Sequence, residues 1–205
     1  MNRYHQRLCR SQGWADFVAD EMLPEVMAGA PLGSKVLELG PGYGASTRAL
    51  LKMAPELVAL ESDPGLVDHL RLEFGESLNV ILGDATKIPC GGGSFSAVVC
   101  FTMLHHLRSA QAQDQLFSEV ARVLRPGGLF VARDSSGGWR FRLIHLDDVC
   151  TPVSRRGLQQ RLQKAGLSQV EIAANPGSIQ FRAYRPPVPE PSGLPASNSE
   201  FDALV

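Results

Sequence analysis

Short apolar runs alternate with amphipathic stretches along most of this chain, and that alternation restricts its fold more than any other feature of the sequence. Lys35-Val36-Leu37-Glu38-Leu39 reads as a buried strand, and Ser46 to Met53 as the helix behind it. Leu57 to Leu60 is a second strand, followed by a helix from Pro64 to Phe74 with Asp63 as its N-cap. Asn79 to Leu82 and Ala97 to Phe101 are the third and fourth strands. A helix from Gln111 to Leu124, stopped by Arg125-Pro126-Gly127-Gly128, leads into a fifth strand, Leu129 to Ala132. Strands separated by helices must run parallel, joined by right-handed crossovers and covered on both faces. After the fifth strand the rhythm changes. Residues 135–150 read as irregular and Val153 to Ala165 as a helix closed by Gly166; two strands, Leu167 to Ala173 and Ile179 to Tyr184, flank the turn Asn175-Pro176-Gly177. A tight hairpin forces antiparallel pairing. The expected fold is α/β: a doubly wound, mostly parallel seven-stranded sheet with a C-terminal antiparallel hairpin strand and helices on both faces.

At 205 residues with 44% hydrophobic content, the chain suits one hydrophobic core and is too apolar for a disordered polymer. Its formal net charge of -1 argues against a protein that lives on phosphate backbones, so no nucleic-acid partner is expected. No apolar run reaches the roughly 18 residues of a membrane helix. The polar N-terminus lacks a signal core, which points to the cytoplasm. Cys9, Cys90, Cys100 and Cys150 are scattered and form no metal-binding or redox pair. Charge is uneven: residues 135–187 hold 8 Lys+Arg against 3 Asp+Glu, a balance of +5, which could attract an acidic substrate or be a solvated helix face carrying Arg155, Arg156, Arg161 and Lys164. Three segments follow: 1–29, where Trp14, Phe17, Val18 and Met22 form an apolar stripe that either packs on the sheet or covers a cleft as a lid; 30–185, the core domain; and 186–205, a proline-rich tail expected to be flexible.

The chemistry concentrates at the ends of the strands. Val36 to Gly44 runs from a strand into the loop Gly40-Pro41-Gly42-Tyr43-Gly44 and on into a helix. Glycines there allow a sharp turn and let backbone N–H groups approach a ligand, and open α/β sheets bind ligands at this edge. Glu61 closes the second strand, 61 − 40 = 21 positions after Gly40, where a carboxylate can accept both hydroxyls of a ribose. Asp84 closes the third, placed to accept from an adenine amino group. A nicotinamide-dependent oxidoreductase would share this layout. Against it, the Gly-x-Gly-x-x-Gly spacing fails, with Ala45 or Thr47 at the last position according to register.

These pieces, with Gly83-Asp84-Ala85, Leu104-His105-His106-Leu107 and Leu124-Arg125-Pro126-Gly127-Gly128, resemble the class I, Rossmann-like S-adenosylmethionine-dependent methyltransferases, in particular the group acting on small molecules. The resemblance covers roughly residues 30–185. It implies S-adenosylmethionine as cofactor, S-adenosylhomocysteine as product, and a small-molecule acceptor methylated at oxygen, nitrogen or carbon; the positive segment adds an acidic acceptor as one expectation, and the chain is expected to act as a monomer or homodimer. Gly40, Pro41, Gly42 and Gly44 would lie under the methionine part, with Glu38 bracing them. Glu61 and Ser62 would sit at the ribose, Asp84 and Ala85 at the adenine, and Phe101 and Thr102 at the site of transfer. Because the donor is already activated, catalysis rests mainly on proximity and alignment.

An oxygen or nitrogen nucleophile can also need a base. His105, His106 and His145 are the candidates, with packing or capping as their alternative role. Tyr4, His5, Trp14 and Tyr43 are the candidate substrate-lining residues, and the aromatic faces of Tyr43 and Phe101 suit a sulfonium. No metal site is expected, since His145 beside two aspartates is too small a set. Two further readings stay open: a module that keeps the fold without catalysis, and an enzyme acting on nucleic acid. The latter lacks the Asn/Asp-Pro-Pro-Tyr/Phe signature, the place reading Phe101-Thr102-Met103-Leu104.

Overall fold

A computed structural model of the protein describes residues 3–146 and 148–188. Seven strands form one sheet: β1 (Lys35–Leu39), β2 (Glu56–Glu61), β3 (Asn79–Leu82), β4 (Phe95–Phe101), β5 (Leu124–Ser135), β6 (Ser168–Asn175) and β7 (Ser178–Tyr184), in the order β3-β2-β1-β4-β5-β7-β6. β1 pairs in parallel with β2 and with β4, so that Leu39 lies level with Leu60 and Cys100. The strand order reverses between β1 and β4, and an α/β sheet opens a crevice at such a point. β7 runs antiparallel to both β5 and β6, and is the reversed strand that the turn at Asn175-Pro176-Gly177 demands.

Period-two alternation divides the apolar residues between the two faces. Leu37, Leu39, Val98, Cys100 and Phe130 pack with Leu116, Phe117 and Val120 of α6 (Ala110–Val123) and Leu158 and Leu162 of α8 (Leu158–Lys164). Val36, Ala59, Val99, Phe101 and Val131 pack on the other face, against Val67 and Leu70 of α5 (Pro64–Phe74) and Leu50 of α4 (Ala45–Leu50). Asp63 caps α5 by accepting from the amides of Gly65 and Leu66, and Pro64 occupies its first turn. Ser109 caps α6 in the same manner.

The N-terminal stretch is three short helices, α1 (Arg3–Cys9), α2 (Gln12–Phe17) and α3 (Leu23–Met27), the last two joined through a π-helical turn, Val18–Met22. Val18, Met22, Leu23, Val26 and Met27 are buried against the sheet face that holds Val36 and Val131. The apolar stripe therefore packs on the flank, while Trp14, Phe17, Val18 and Met22 also border the cleft described below.

Several boundaries differ from expectation. The stretch 135–150 is not wholly irregular: Trp139–Ile144 forms α7, whose Trp139 and Leu143 are exposed. The helix expected from Val153 starts only at Leu158, because Val153 is fully buried in a segment whose amide bonds to the carbonyl of Ser135. β5 begins at Leu124, taking in the Pro-Gly-Gly turn. Of the proline-rich tail, Pro186 to Val188 have no regular structure, and 189–205 lie outside the described residues.

Candidate functional site

The carboxyl ends of the strands open into a cavity of about 650 Å³. The loop after β1 forms its floor. Gly40 has φ 65° and its amide continues the sheet by donating to the carbonyl of Leu60 at 2.9 Å. A Cβ there would stand 2.3 Å from Cγ of Met103, so only glycine allows the loop to pass under Met103. At Gly42, φ 58°, an added Cβ would meet nothing within 4 Å. Gly42, Pro41 and Tyr43 line the cavity, whereas Gly44 lies behind them, where its missing Cβ admits the Phe74 ring.

Glu38 does not line the cavity. It is buried in β1 and accepts from the hydroxyls of Ser46 and Thr47 on α4, which ties the strand to the helix on either side of the loop. Burial pushes its carboxyl up to about 7; the two hydroxyl donors oppose that shift and the nearby Glu61 adds to it. Glu61, also buried, accepts from the amide of Gly42 at 3.1 Å through one oxygen, and from the amides of Ser62 and Asp63 at 2.7 and 3.0 Å through the other. The second acid thus sets the first loop. Asp84 accepts from the amide and hydroxyl of Thr86 through Oδ1, at 2.7 and 2.8 Å, and its Oδ2 accepts no hydrogen bond among the described residues. Ser62, Asp84, Ala85, Phe101 and Thr102 all line the cavity. Thr102 holds φ 52°, a left-handed conformation that a threonine rarely takes, pinned by its amide bond to the carbonyl of Arg133 at 2.8 Å.

At the other end four histidines meet. His5 comes from α1, His105 and His106 from the single 3-10 turn after β4, and His145 from the residue following α7. Their ring centroids are 4.1 to 6.3 Å apart. Nδ1 of His105 lies 2.7 Å from Oδ1 of Asp134 at the end of β5, and Nδ1 of His145 lies 2.7 Å from the carbonyl of Phe141. Both contacts make Nδ1 the protonated nitrogen and leave Nε2 with a lone pair. Nε2 of His105 and of His145 are buried with no hydrogen-bond partner among the described residues, which costs roughly 1–3 kcal/mol for each such group. Nδ1 of His5 lies 3.5 Å from Oδ2 of Asp148. Burial, reinforced by the neighbouring histidines, lowers His106 to about 3 and His5 to about 4, and lowers His145 as well.

Trp14, Tyr43 and His5 border the cavity, as expected of substrate-lining residues; Tyr4 does not, being 66% exposed and outside it. The positive segment does not serve the cavity through Arg161, Arg182 or Arg185. Arg161 pairs with Asp114 at 2.5 Å, while Arg182 and Arg185 donate to main-chain carbonyls. The cavity borders Glu61, Asp63, Asp84, Asp134 and Asp148 against Arg108 and Arg133, so it offers an acidic ligand little. Among the bordering residues that were not anticipated are Asp134, Arg133 and Met103. Asp134 was open to discovery by the reasoning that picked Glu61 and Asp84, since it too is an acid ending a parallel strand.

A family model described as a methyltransferase domain matches residues 37–132. The chain is 36% identical over 109 residues to an uncharacterised methyltransferase of Mycobacterium tuberculosis, covering 51% of this chain and 43% of that protein. It is 36% identical over 132 residues to a demethylmenaquinone methyltransferase of Beutenbergia cavernae, covering 62% of this chain and 53% of the relative. The chain thus spans about half the length of these curated relatives. A crystal structure from Pyrococcus horikoshii shares the fold with a TM-score of 0.69 at 21% identity, covering 86% of this chain and 92% of that one.

Proposed function

We propose that the chain, whose residues 37–132 match a methyltransferase-domain family, is a class I, S-adenosylmethionine-dependent methyltransferase and that it methylates an oxygen, nitrogen or carbon atom of a small molecule. The residues suit the donor. The open space over Gly42 gives the methionine portion a backbone edge to lie on, and Glu61 and Asp84 offer acceptors for ribose hydroxyls and an adenine amino group. A cavity of about 650 Å³ is of the size that encloses a drug-sized ligand. The donor supplies an activated methyl on a sulfonium, so this chain's own contribution is alignment: Tyr43 and Phe101 line the cavity and would offer aromatic faces to the sulfonium.

The observation that carries the reading is that a single cavity joins the three cofactor loops to the histidine end, leaving room for an acceptor between them. The nucleophile's lone pair forms the new bond to carbon while the carbon–sulfur pair stays with sulfur. The proton lost by an oxygen or nitrogen acceptor goes to the histidine end. His105 is the best placed to receive it, because Asp134 holds the ring in the orientation that leaves Nε2 with its lone pair. His106 and His145, whose affinity for protons burial reduces, are poorer acceptors. Three arginines of the positive segment, Arg161, Arg182 and Arg185, bond within the fold and so give no reason to prefer an acidic acceptor. The test is release of S-adenosylhomocysteine with panels of phenols, amines, quinones and carboxylates beside ribosomal RNA and DNA. Turnover confined to one small-molecule class supports the reading; turnover with nucleic acid alone overturns it.

A further inference from the structure

Four of the chain's five histidines lie where one ion could touch them all. We propose that His5, His105, His106 and His145 form a binding site for a divalent first-row transition-metal ion, to which the acceptor attaches through an oxygen or nitrogen atom.

Three observations lead there. The available ligand atoms all lie within 4.8 Å of one another. Imidazoles held at metal–nitrogen distances of about 2.0–2.1 Å carry their ring centres roughly 3.2 Å from the ion, and so roughly 4.5–6.4 Å from each other for ligand angles of about 90–180°; four of the six observed separations, 4.9 to 6.3 Å, fall in that range, and His5–His145 at 4.4 Å and His105–His106 at 4.1 Å lie just below it. Side-chain rotation of about 1 Å closes the remaining gap. The second observation is the outer shell. Metal-bound histidines almost always give their other N–H to a carboxylate or carbonyl, which fixes the tautomer and the ring. Asp134 does this for His105 and the carbonyl of Phe141 does it for His145, while Asp148 stands beside His5. Third, Nε2 of His105 and of His145 are buried and lack hydrogen-bond partners among the described residues. An ion satisfies both.

An all-imidazole set selects zinc, iron(II), cobalt, nickel or copper over magnesium or calcium. The ligands come from α1, the turn after β4 and the end of α7, so the ion ties the N-terminal helix to the turn after β4. Its role toward the acceptor rests on the methyl-transfer reading; its binding does not. An acceptor hydroxyl bound to the ion loses its proton to water more readily, and the oxygen keeps the pair that forms the bond to carbon. Nε2 of His105 is then a ligand rather than a proton acceptor.

The test uses tag-free protein stripped with a chelator and titrated with cobalt(II) alone, without S-adenosylmethionine, and followed by visible absorption and calorimetry. The expected result is one ion per chain at micromolar affinity or tighter, with no thiolate charge-transfer band. His105→Ala and His145→Gln should each weaken binding at least 100-fold, Asp134→Asn about 10- to 100-fold, and His69→Ala not at all. His145 follows an exposed helix, so its variant decides the matter should His105→Ala fail to fold. Absence of binding at millimolar cobalt overturns the proposal, as do undiminished affinity in folded His145→Gln or a thiolate band. S-adenosylmethionine binding, titrated separately without metal, keeps the two readings distinguishable.

Discussion

Replacing Glu38 by glutamine should flatten the dependence of the protein's stability on pH. Glu38 is fully buried, and burial lifts its carboxyl from 4.5 to about 7 despite the Ser46 and Thr47 hydroxyls that favour its ionised form. Between those two values the folded chain keeps a proton that the unfolded chain gives up. Stability from this group is therefore greatest below pH 4.5, and is lost as pH rises to about 7. One pKa unit is worth about 1.4 kcal/mol, so between pH 5 and pH 8 the parent loses about 2–3 kcal/mol that the glutamine variant does not. His5 and His106 act in the opposite sense: held down to about 4 and 3, they stay neutral while the unfolded chain gains protons below 6.5. Subtracting the variant from the parent at each pH cancels them. Urea unfolding at intervals from pH 5 to pH 8, with an unchanged slope between the two proteins, gives the difference directly. The amide leaves one hydroxyl poorly matched and imposes a constant offset of about 1–2 kcal/mol, which does not affect the trend. Parent and variant curves parallel to within about 0.5 kcal/mol would refute the reasoning.

The glycine loop separates stability from binding. Gly40→Ala combines a left-handed φ, worth about 1–2 kcal/mol, with a collision against Met103, worth about 1–3 more, so urea unfolding should show a loss of about 2–5 kcal/mol. Gly42→Ala carries only the first cost, about 1–2 kcal/mol, yet calorimetry should show at least a tenfold loss of donor affinity, since its new methyl enters the cavity. Arg161→Ala should lower stability by about 1–2 kcal/mol through its lost bonds to Asp114 and Ala110, and leave the acceptor KM unchanged; a raised KM would restore the positive segment to the substrate site.

The parallel strands, the reversed strand and the three loops that border the cavity were legible because each depends on local signals: short apolar runs, glycines where the chain must turn, and acids at strand ends. Asp63 and Pro64 announced the start of α5 for the same reason. What escaped was long-range. His5 lies 100 positions from His105 in sequence, and only the docking of α1 over the turn after β4 brings them together, so a search for closely spaced ligands had no purchase there. α7 escaped because Trp139 and Leu143, apolar residues four apart, are exposed rather than packed in the core. The arginine-rich segment misled for a related reason: charge can be counted from a sequence, but whether a guanidinium meets a carbonyl of its own chain is decided by packing.

The proposed activity requires that the loops after β1, β2 and β3 hold S-adenosylmethionine. Calorimetric titration of the parent and of Glu61→Ala with that donor tests it most directly, with NADH as the control ligand. One site per chain of micromolar affinity in the parent, weakened at least tenfold in Glu61→Ala and with no response to NADH, is the predicted result. No heat at millimolar S-adenosylmethionine, with binding of NADH in its place, would contradict it.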